Sequence, residues 1–122
     1  MKNFECVITS TQPDAYGNVI TKEALEKFVG QSKHIYNSFD FSNPPVGMVQ
    51  HTEIKGDMLI GRGTICDEFL EINDAFFVAP SFLIIKEGEE NGHSVYEELE
   101  VMDYGLVLDH SDECATPIKE VK

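Results

Sequence analysis

Basic residues are scarce in this chain, and their scarcity argues against direct contact with nucleic acids. The 122 residues include nine lysines and arginines against 22 aspartates and glutamates, a formal net charge of −13 at pH 7. Such a charge repels phosphate groups, so we expect no direct binding of DNA or RNA. The imbalance lies in one half: residues 1–61 carry seven acids and five bases, whereas residues 62–122 carry fifteen acids and four bases.

Long apolar runs and cysteines are also in short supply. No stretch of about 18 apolar residues is present, so we expect no membrane span, and no segment at the start has the pattern of a secretion signal. Cys6, Cys66 and Cys114 are far apart and odd in number, which predicts reduced packing thiols rather than disulfides or a zinc site. We therefore expect no metal and no cofactor.

Short segments with strand-like patterns occupy most of the chain. A turn at Lys55-Gly56-Asp57 joins two of them and predicts a hairpin. The predicted strands are Phe4–Ile8, Val46–Ile54, Met58–Cys66, Ala75–Ile85, Ser94–Val101 and Gly105–Leu108. The pattern predicts one domain over residues 1–122 of mainly β (α+β) class, a compact antiparallel β-barrel or sandwich with one flanking α-helix.

The flanking helix is predicted from its own boundary signals. Thr21 is a favourable N-cap, and Ile20 and Leu25 are placed to form a hydrophobic staple across it. Apolar residues at helical spacing run from Ala24 to Val29. Gly30 is suited to end the helix because glycine readily adopts the positive φ of a C-terminal cap.

Two further segments have distinct compositions. Ala75–Ile85 is strongly apolar, which predicts a core strand that is buried on both faces. Pro80 should interrupt the pairing of this strand, and a β-bulge is one form that the interruption can take. Residues 36–45 are rich in Asn, Ser, Asp and Pro, which predicts a loop.

Several motifs follow one another in a fixed order along the chain. Pro13–Leu25 reads PDAYGNVITKEAL, Pro45–Val49 reads PVGMV, Gly56–Gly63 reads GDMLIGRG, and Tyr104–Leu108 is followed by Asp112–Ile118, which reads DECATPI. Together these motifs resemble the prohead (capsid maturation) protease family of tailed bacteriophages, across roughly residues 5–120. The resemblance implies a β-barrel with flanking helices, in agreement with the strand pattern.

The resemblance also implies where catalytic residues would lie. The family's histidine would fall at Phe39, within Tyr36–Asp40, and its serine at Ser81. Phenylalanine cannot accept a proton, so we expect the site to be degenerate and the chain to lack peptidase activity. We accordingly expect no residue of this chain to be catalytic. If the chain were an active serine protease, Ser81 would be the nucleophile and His51 a displaced base.

A third histidine lies in a suggestive string, Asp109-His110-Ser111-Asp112. Neighbouring residues of an extended segment point to opposite faces, whereas a catalytic triad forms by convergence in space, so we do not expect catalysis there. A divalent cation site at Asp109, Ser111, Asp112 and Glu113 is also disfavoured, because no glycine follows at the spacing of a calcium loop.

These observations give one leading expectation and two alternatives. The resemblance implies a bacteriophage virion structural protein, a capsid auxiliary or decoration protein without activity, located in the virion and, during assembly, in the host cytoplasm. Its partners would be capsid or other virion proteins, with self-association as a further option. The alternatives are an active serine-type prohead protease and an acidic phage inhibitor that mimics nucleic acid.

Acidic residues cluster in the second half of the chain and predict a binding surface. A patch of carboxylates speeds encounter with a basic partner surface. The candidate partner-binding residues are Glu87, Glu89, Glu90, Glu97, Glu98 and Glu100.

Overall fold

Eight strands in the described part of the chain belong to a single sheet. The computed structural model describes residues 1–71 and 75–122. Two short α-helices, α1 (Lys22–Leu25) and α2 (Glu68–Glu71), accompany the sheet, and a 3₁₀ turn (Glu26–Phe28) continues α1. The strands are β1 (Lys2–Ser10), β2 (Val19–Ile20), β3 (Lys33–Asn37), β4 (Gly47–Lys55), β5 (Met58–Ile65), β6 (Phe77–Glu90), β7 (His93–Val107) and β8 (Lys119–Glu120).

The order of the strands explains the shape of the sheet. The path runs β2-β7-β3-β4-β5-β1-β8, and β6 pairs with β7 beside it. Most pairs are antiparallel, but β7 pairs in parallel with both β2 and β3. The mainly β, α+β class with a small flanking helix is confirmed, although the sheet is not closed into a barrel. It stays open because, among the described strands, β6 pairs with β7 alone.

The predicted hairpin between β4 and β5 is confirmed. The two strands pair from Lys55 and Met58 back to Gly47 and Ile65, with one register shift near Val49. Two residues connect them, and the first, Gly56, has a φ of +60°. Positive φ at this position suits a tight hairpin turn, which explains why glycine stands there.

The predicted helix is present but short. The Thr21 hydroxyl accepts a hydrogen bond from the Ala24 N–H at 3.2 Å, so Thr21 is the N-cap. Leu25 and Phe28 are fully buried, whereas Val29 is 44% exposed and lies outside the buried face. Gly30 has a φ of +81°, which turns the chain away after the 3₁₀ turn.

The hydrophobic core packs α1 and the 3₁₀ turn against several strands. β1 contributes alternate residues, as its pattern predicts, and β7 contributes residues of its second half. A fully buried tyrosine, Tyr104, packs at 6.3 Å from Phe28 between ring centroids. Core residues from the other elements include Ile35, Val49, Leu59, Ile65 and Val78.

The prediction that Ala75–Ile85 is buried on both faces is wrong. Val78 is fully buried, but Leu83, Ile84 and Ile85 are 55%, 45% and 61% exposed. The reason is topological, since β6 lies at an edge of the sheet and pairs with β7 alone among the described strands. The register shifts between Ser81 and Phe82, directly after Pro80, in line with the expected interruption.

Sequence signals misplaced two boundaries near this edge. Ser94–Val101 and Gly105–Leu108 join into one strand of fifteen residues, β7. The turn before it is Asn91-Gly92, with φ of +53° and +80°, the residue pair preferred in two-residue hairpin turns. Strand β3 also takes up the start of the predicted loop 36–45, because Ile35 enters the core.

Candidate functional site

Phe39 occupies the position that the family resemblance assigns to a histidine. It follows β3 in a tight loop, where Ser38 and Phe39 have φ of +52° and +58°. Its ring lies over Gly105 so closely that a Cβ atom built on Gly105 would be 2.5 Å from the nearest ring carbons. Phe39 therefore packs where a side chain at residue 105 would otherwise stand.

The structure does not bring Ser81 and His51 together. Ser81 is half-buried on β6 opposite Asp103 of β7, whereas His51 is exposed on β4 opposite Arg62 of β5. Strands β7 and β3 lie between β6 and β4, which separates the two residues by roughly 14 Å along the sheet. That distance is far beyond the hydrogen-bond reach that a nucleophile and its base require.

A different group of serine, histidine and aspartate does converge, around Asp112. This aspartate is 5% exposed. Its Oδ2 accepts hydrogen bonds from the Ser10 N–H at 2.7 Å, the Ser10 hydroxyl at 2.8 Å and the Thr9 hydroxyl at 3.1 Å. Its Oδ1 accepts from the Cys114 N–H at 2.8 Å. The carboxylate thus joins the end of β1 to the C-terminal tail.

His110 lies beside this carboxylate without acting on a nucleophile. Its Nδ1 accepts the Asp112 N–H at 3.0 Å, and its ring packs against Phe77 at 6.1 Å between centroids. Burial lowers the pKa of His110, while Asp112 and Asp109 partly oppose that shift. Ser10 is 1% exposed and donates its hydroxyl proton to Asp112 rather than to His110, so the hydrogen bonds do not pair this serine with a base.

A cleft of about 490 Å³ opens next to the Asp112 cluster. Four segments form it: the end of β1 with the loop that follows, the loop around Phe39, the hairpin β6–β7, and the tail around His110. The aromatic side chains in the lining are Tyr16, Phe39, Phe82 and Tyr96, and the acidic ones are Asp14, Asp109 and Asp112. The volume is typical of a small-molecule or side-chain pocket.

Sequence patterns alone did not single out this cleft. Asp14 and Tyr16 belong to the first of the family-like motifs, and Phe82 and Tyr96 lie in predicted strands, so nothing in the sequence places the four together. Their convergence depends on the parallel pairing of β2 with β7, where Ile20 lies opposite Tyr96. A more informative signal was available, since an exposed aromatic residue in a polar turn is a frequent feature of binding surfaces.

The candidate acidic residues lie on one projecting element, which we term the acidic hairpin, residues 83–100. It contains six glutamates and one lysine, and all six predicted partner-binding glutamates are exposed. Lys86 forms an exposed ion pair with Glu97 at 3.5 Å, which leaves a strong excess of negative charge. Three exposed apolar side chains adjoin these glutamates: Leu83, Ile84 and Ile85.

Cys6 has the properties of a packing residue. It is 4% exposed in the core, and burial raises the pKa of its thiol to about 12. A thiol in this state is a poor nucleophile, because the thiolate is the reactive form. All three cysteines are free thiols.

Metal-binding clusters and membrane-spanning helices are both absent from the described ranges 1–71 and 75–122. No group of three or more His, Cys, Asp and Glu side chains there is arranged to hold a metal ion. Neither of the α-helices in those ranges has the length and apolar character that crossing a bilayer requires.

Comparison with known proteins adds no relative. No family model matches this chain, and no curated protein or solved structure matches it significantly. The likeness to prohead proteases therefore remains a prediction from the motifs in the sequence.

Proposed function

We propose that this chain is a bacteriophage virion protein that attaches to the capsid as an auxiliary or decoration protein and has no peptidase activity. The proposal combines the motif resemblance with two features of the structure: the position of Phe39 and the composition of the acidic hairpin. It places the protein in the host cytoplasm during assembly and in the virion afterwards.

The acidic hairpin carries the attachment part of the proposal. Leu83, Ile84 and Ile85 are exposed apolar side chains on the outer part of β6, and exposed apolar groups that cluster often mark interaction sites. The glutamates beside them would attract a basic patch on a capsid protein and speed encounter. Burial of the apolar side chains would then supply most of the affinity.

The geometry around Ser81 supports the absence of activity. A serine hydroxyl becomes a nucleophile only when a base removes its proton, a contribution of several orders of magnitude in rate. His51 lies across two strands from Ser81, and Phe39 cannot serve as a base. Incubation with capsid or scaffold protein should yield no cleavage products. Cleavage that disappears in Ser81→Ala would refute the proposal.

Mass spectrometry of purified particles tests the location. Recovery of the chain at a fixed ratio to the major capsid protein is expected. Its absence from particles, combined with co-purification with a host DNA-binding protein, would favour the second candidate, an acidic inhibitor. That candidate draws on the same glutamates, because closely spaced carboxylates can imitate the phosphates of nucleic acid.

The attachment surface is tested by association with capsids across a salt series. Glu87→Gln, Glu89→Gln and Glu90→Gln together should slow association and reduce its salt dependence, because screening acts over about 8 Å at physiological ionic strength. Leu83→Ser with Ile85→Ser should instead speed release. A matched variant with three exposed glutamates replaced elsewhere, at Glu26, Glu68 and Glu113, keeps the same net charge as the first triple variant. Equal association of the two triple variants would exclude the hairpin as the attachment site.

A further inference from the structure

The cleft beside the Asp112 cluster has walls that are fixed before any ligand arrives. The Ala15 N–H donates to the Ser111 carbonyl at 2.8 Å, which ties the loop after β1 to the C-terminal tail. The Ser10 N–H, at the end of β1, donates to Asp112 in the C-terminal tail and so adds a second tie between these parts of the chain. A pocket whose loops are already joined loses little conformational entropy when it is occupied.

Among the described residues, four aromatic side chains line the cleft. Phe82 packs against Tyr96 at 5.8 Å between ring centroids, and also against the core residue Phe28 at 6.3 Å. Tyr16 is 75% exposed at the rim, and Phe39 lines the cleft near Gly105. The faces of such rings attract cations, since their π-electrons carry partial negative charge.

The charged groups of the cleft are all acidic. Asp14 and Asp109 line it, and no lysine or arginine is found among the described lining residues. Asp14 uses its Oδ1 to accept the N–H groups of Tyr16 and Asn18. Burial, Glu87 and Asp14 raise the pKa of Tyr96, as expected where negative charge surrounds a hydroxyl.

We propose that this cleft binds an ammonium or guanidinium group carried on a flexible aliphatic stem. The aromatic rings and the two aspartates would contact the cation, while Ala79, Pro80 and Val107 would contact the stem. A lysine or arginine side chain of a partner protein and a free polyamine share this chemistry. The site borders the acidic hairpin and shares Tyr96 with it, but the proposal does not depend on a role in the virion.

Titrations followed by amide chemical shifts test the proposal on the full chain. The probes are the Nα-acetyl methylamides of lysine and arginine, which represent a partner's side chain, and putrescine, which represents a polyamine. The Nα-acetyl methylamide of norleucine has a similar stem without the charge. We expect the cationic probes to give saturable shifts at residues of the cleft and norleucine to give none. The stronger cation identifies the source.

Variants separate the cleft from general attraction to an acidic protein. Asp109→Asn and Tyr16→Ala should each weaken binding by about threefold or more, since each removes one cation contact. Both residues are exposed, so folding is retained and amide shifts far from the cleft check it. Glu113→Gln removes the same charge from the same tail outside the cleft and should leave binding unchanged.

Three results would overturn the proposal. One is equal binding of the norleucine compound, which would make the cleft a merely apolar pocket. Another is a set of shifts confined to the exposed glutamates of the acidic hairpin, which are not part of the cleft lining, or an equal loss of binding in Glu113→Gln. The third is no saturable shift with any cation at tens of millimolar. A negative result here leaves the virion proposal standing, because particle composition tests that separately.

Discussion

The carboxylate of Asp112 holds the C-terminal tail against the end of β1. Four donors from Thr9, Ser10 and Cys114 converge on it. Two of these donors are backbone N–H groups, which cannot be repositioned without moving β1 or the tail. The same bonds place His110 and Asp109 at the cleft.

Asp112→Ala should therefore be strongly destabilising. The change leaves buried donors without an acceptor, and hydrogen bonds to a charged group contribute about 1.5–3 kcal/mol each, so a total loss of about 2–4 kcal/mol is expected. Urea unfolding followed by circular dichroism measures it. Asp109→Asn, three residues earlier and exposed, is the control and should change stability by less than about 0.5 kcal/mol. Equal effects in the two variants would contradict the assigned role.

His110 makes stability depend on pH. Because burial lowers its pKa in the folded state, the unfolded chain binds a proton more readily than the folded chain does. The free energy of unfolding should fall as pH drops below about 6.5, the ordinary pKa of histidine, and stop falling below the depressed folded value.

A variant isolates this contribution from that of the carboxylates. Protonation of the many carboxylates also changes the free energy of unfolding at the lower pH values. The contribution of His110 is therefore obtained by comparing the wild type with a variant in which only this residue is changed. His110→Gln cannot titrate, and its stability should fall less than that of the wild type between pH 7.5 and pH 5.5. Urea midpoints at several pH values measure the difference. Parallel curves for the two proteins would show that His110 is not the titrating group.

At the scale of elements, the β6–β7 hairpin has two different parts. Its first part, near Val78 and Tyr104, is core, and its second part projects as the acidic hairpin. The cross-strand pair Ile84 and Leu99 marks the transition, because Leu99 is 3% exposed and Ile84 is 45% exposed. Burial therefore differs between two apolar residues that face each other in the register.

Truncation of this pair should have unequal effects. Leu99→Ala removes a buried side chain and should cost about 2–5 kcal/mol, whereas Ile84→Ala should cost about 1 kcal/mol or less. Denaturant unfolding of both variants under one condition measures the contrast. A large loss in Ile84→Ala would place this side chain in the core and remove it from the proposed attachment surface.

The outer edge of β6 is built in a way that discourages pairing with a second copy. Register shifts occur between Ile84 and Lys86 and again between Lys86 and Glu87, and charged residues follow. Bulges and charges are common means of protecting an edge strand. Two copies of the acidic hairpin would also repel each other, so we expect a partner of opposite charge rather than self-association.

At the scale of the whole molecule, the net charge of −13 opposes the compact state through self-repulsion. Added salt screens that repulsion, and exposed ion pairs such as Arg62 with Glu5 contribute little in return. We expect NaCl at physiological concentration to raise Tm relative to low salt by several degrees, since about 1 kcal/mol corresponds to roughly 4 °C. Differential scanning calorimetry at low and physiological salt measures this.

The acidic hairpin should account for part of that salt response. Replacement of Glu87, Glu89 and Glu90 with Gln should raise Tm at low salt and make the increase with salt smaller. A Tm that falls with salt in the wild type would mean that attractive ion pairs dominate over repulsion.

Local signals in the sequence predicted the elements that depend on interactions between residues close together in the chain. Thr21 as an N-cap and the hairpin at Gly56 are determined by hydrogen bonds and backbone angles within a few residues. The Asn91-Gly92 turn belongs to the same class, and its residues are the standard signal for a two-residue turn. The mainly β class follows from the number of such short segments.

The charge, the mainly β class, the N-cap at Thr21, the hairpin at Gly56 and the absence of a base at residue 39 can all be read from the amino-acid sequence alone. The division of Ala75–Ile85 into a buried and an exposed part required the folded structure, because burial depends on which strands lie beside it. The folded structure also decided that Asp112 joins β1 to the tail and that Tyr16 and Tyr96 share a cleft. These contacts link residues far apart in the chain, and they depend on strand order, which no local pattern encodes.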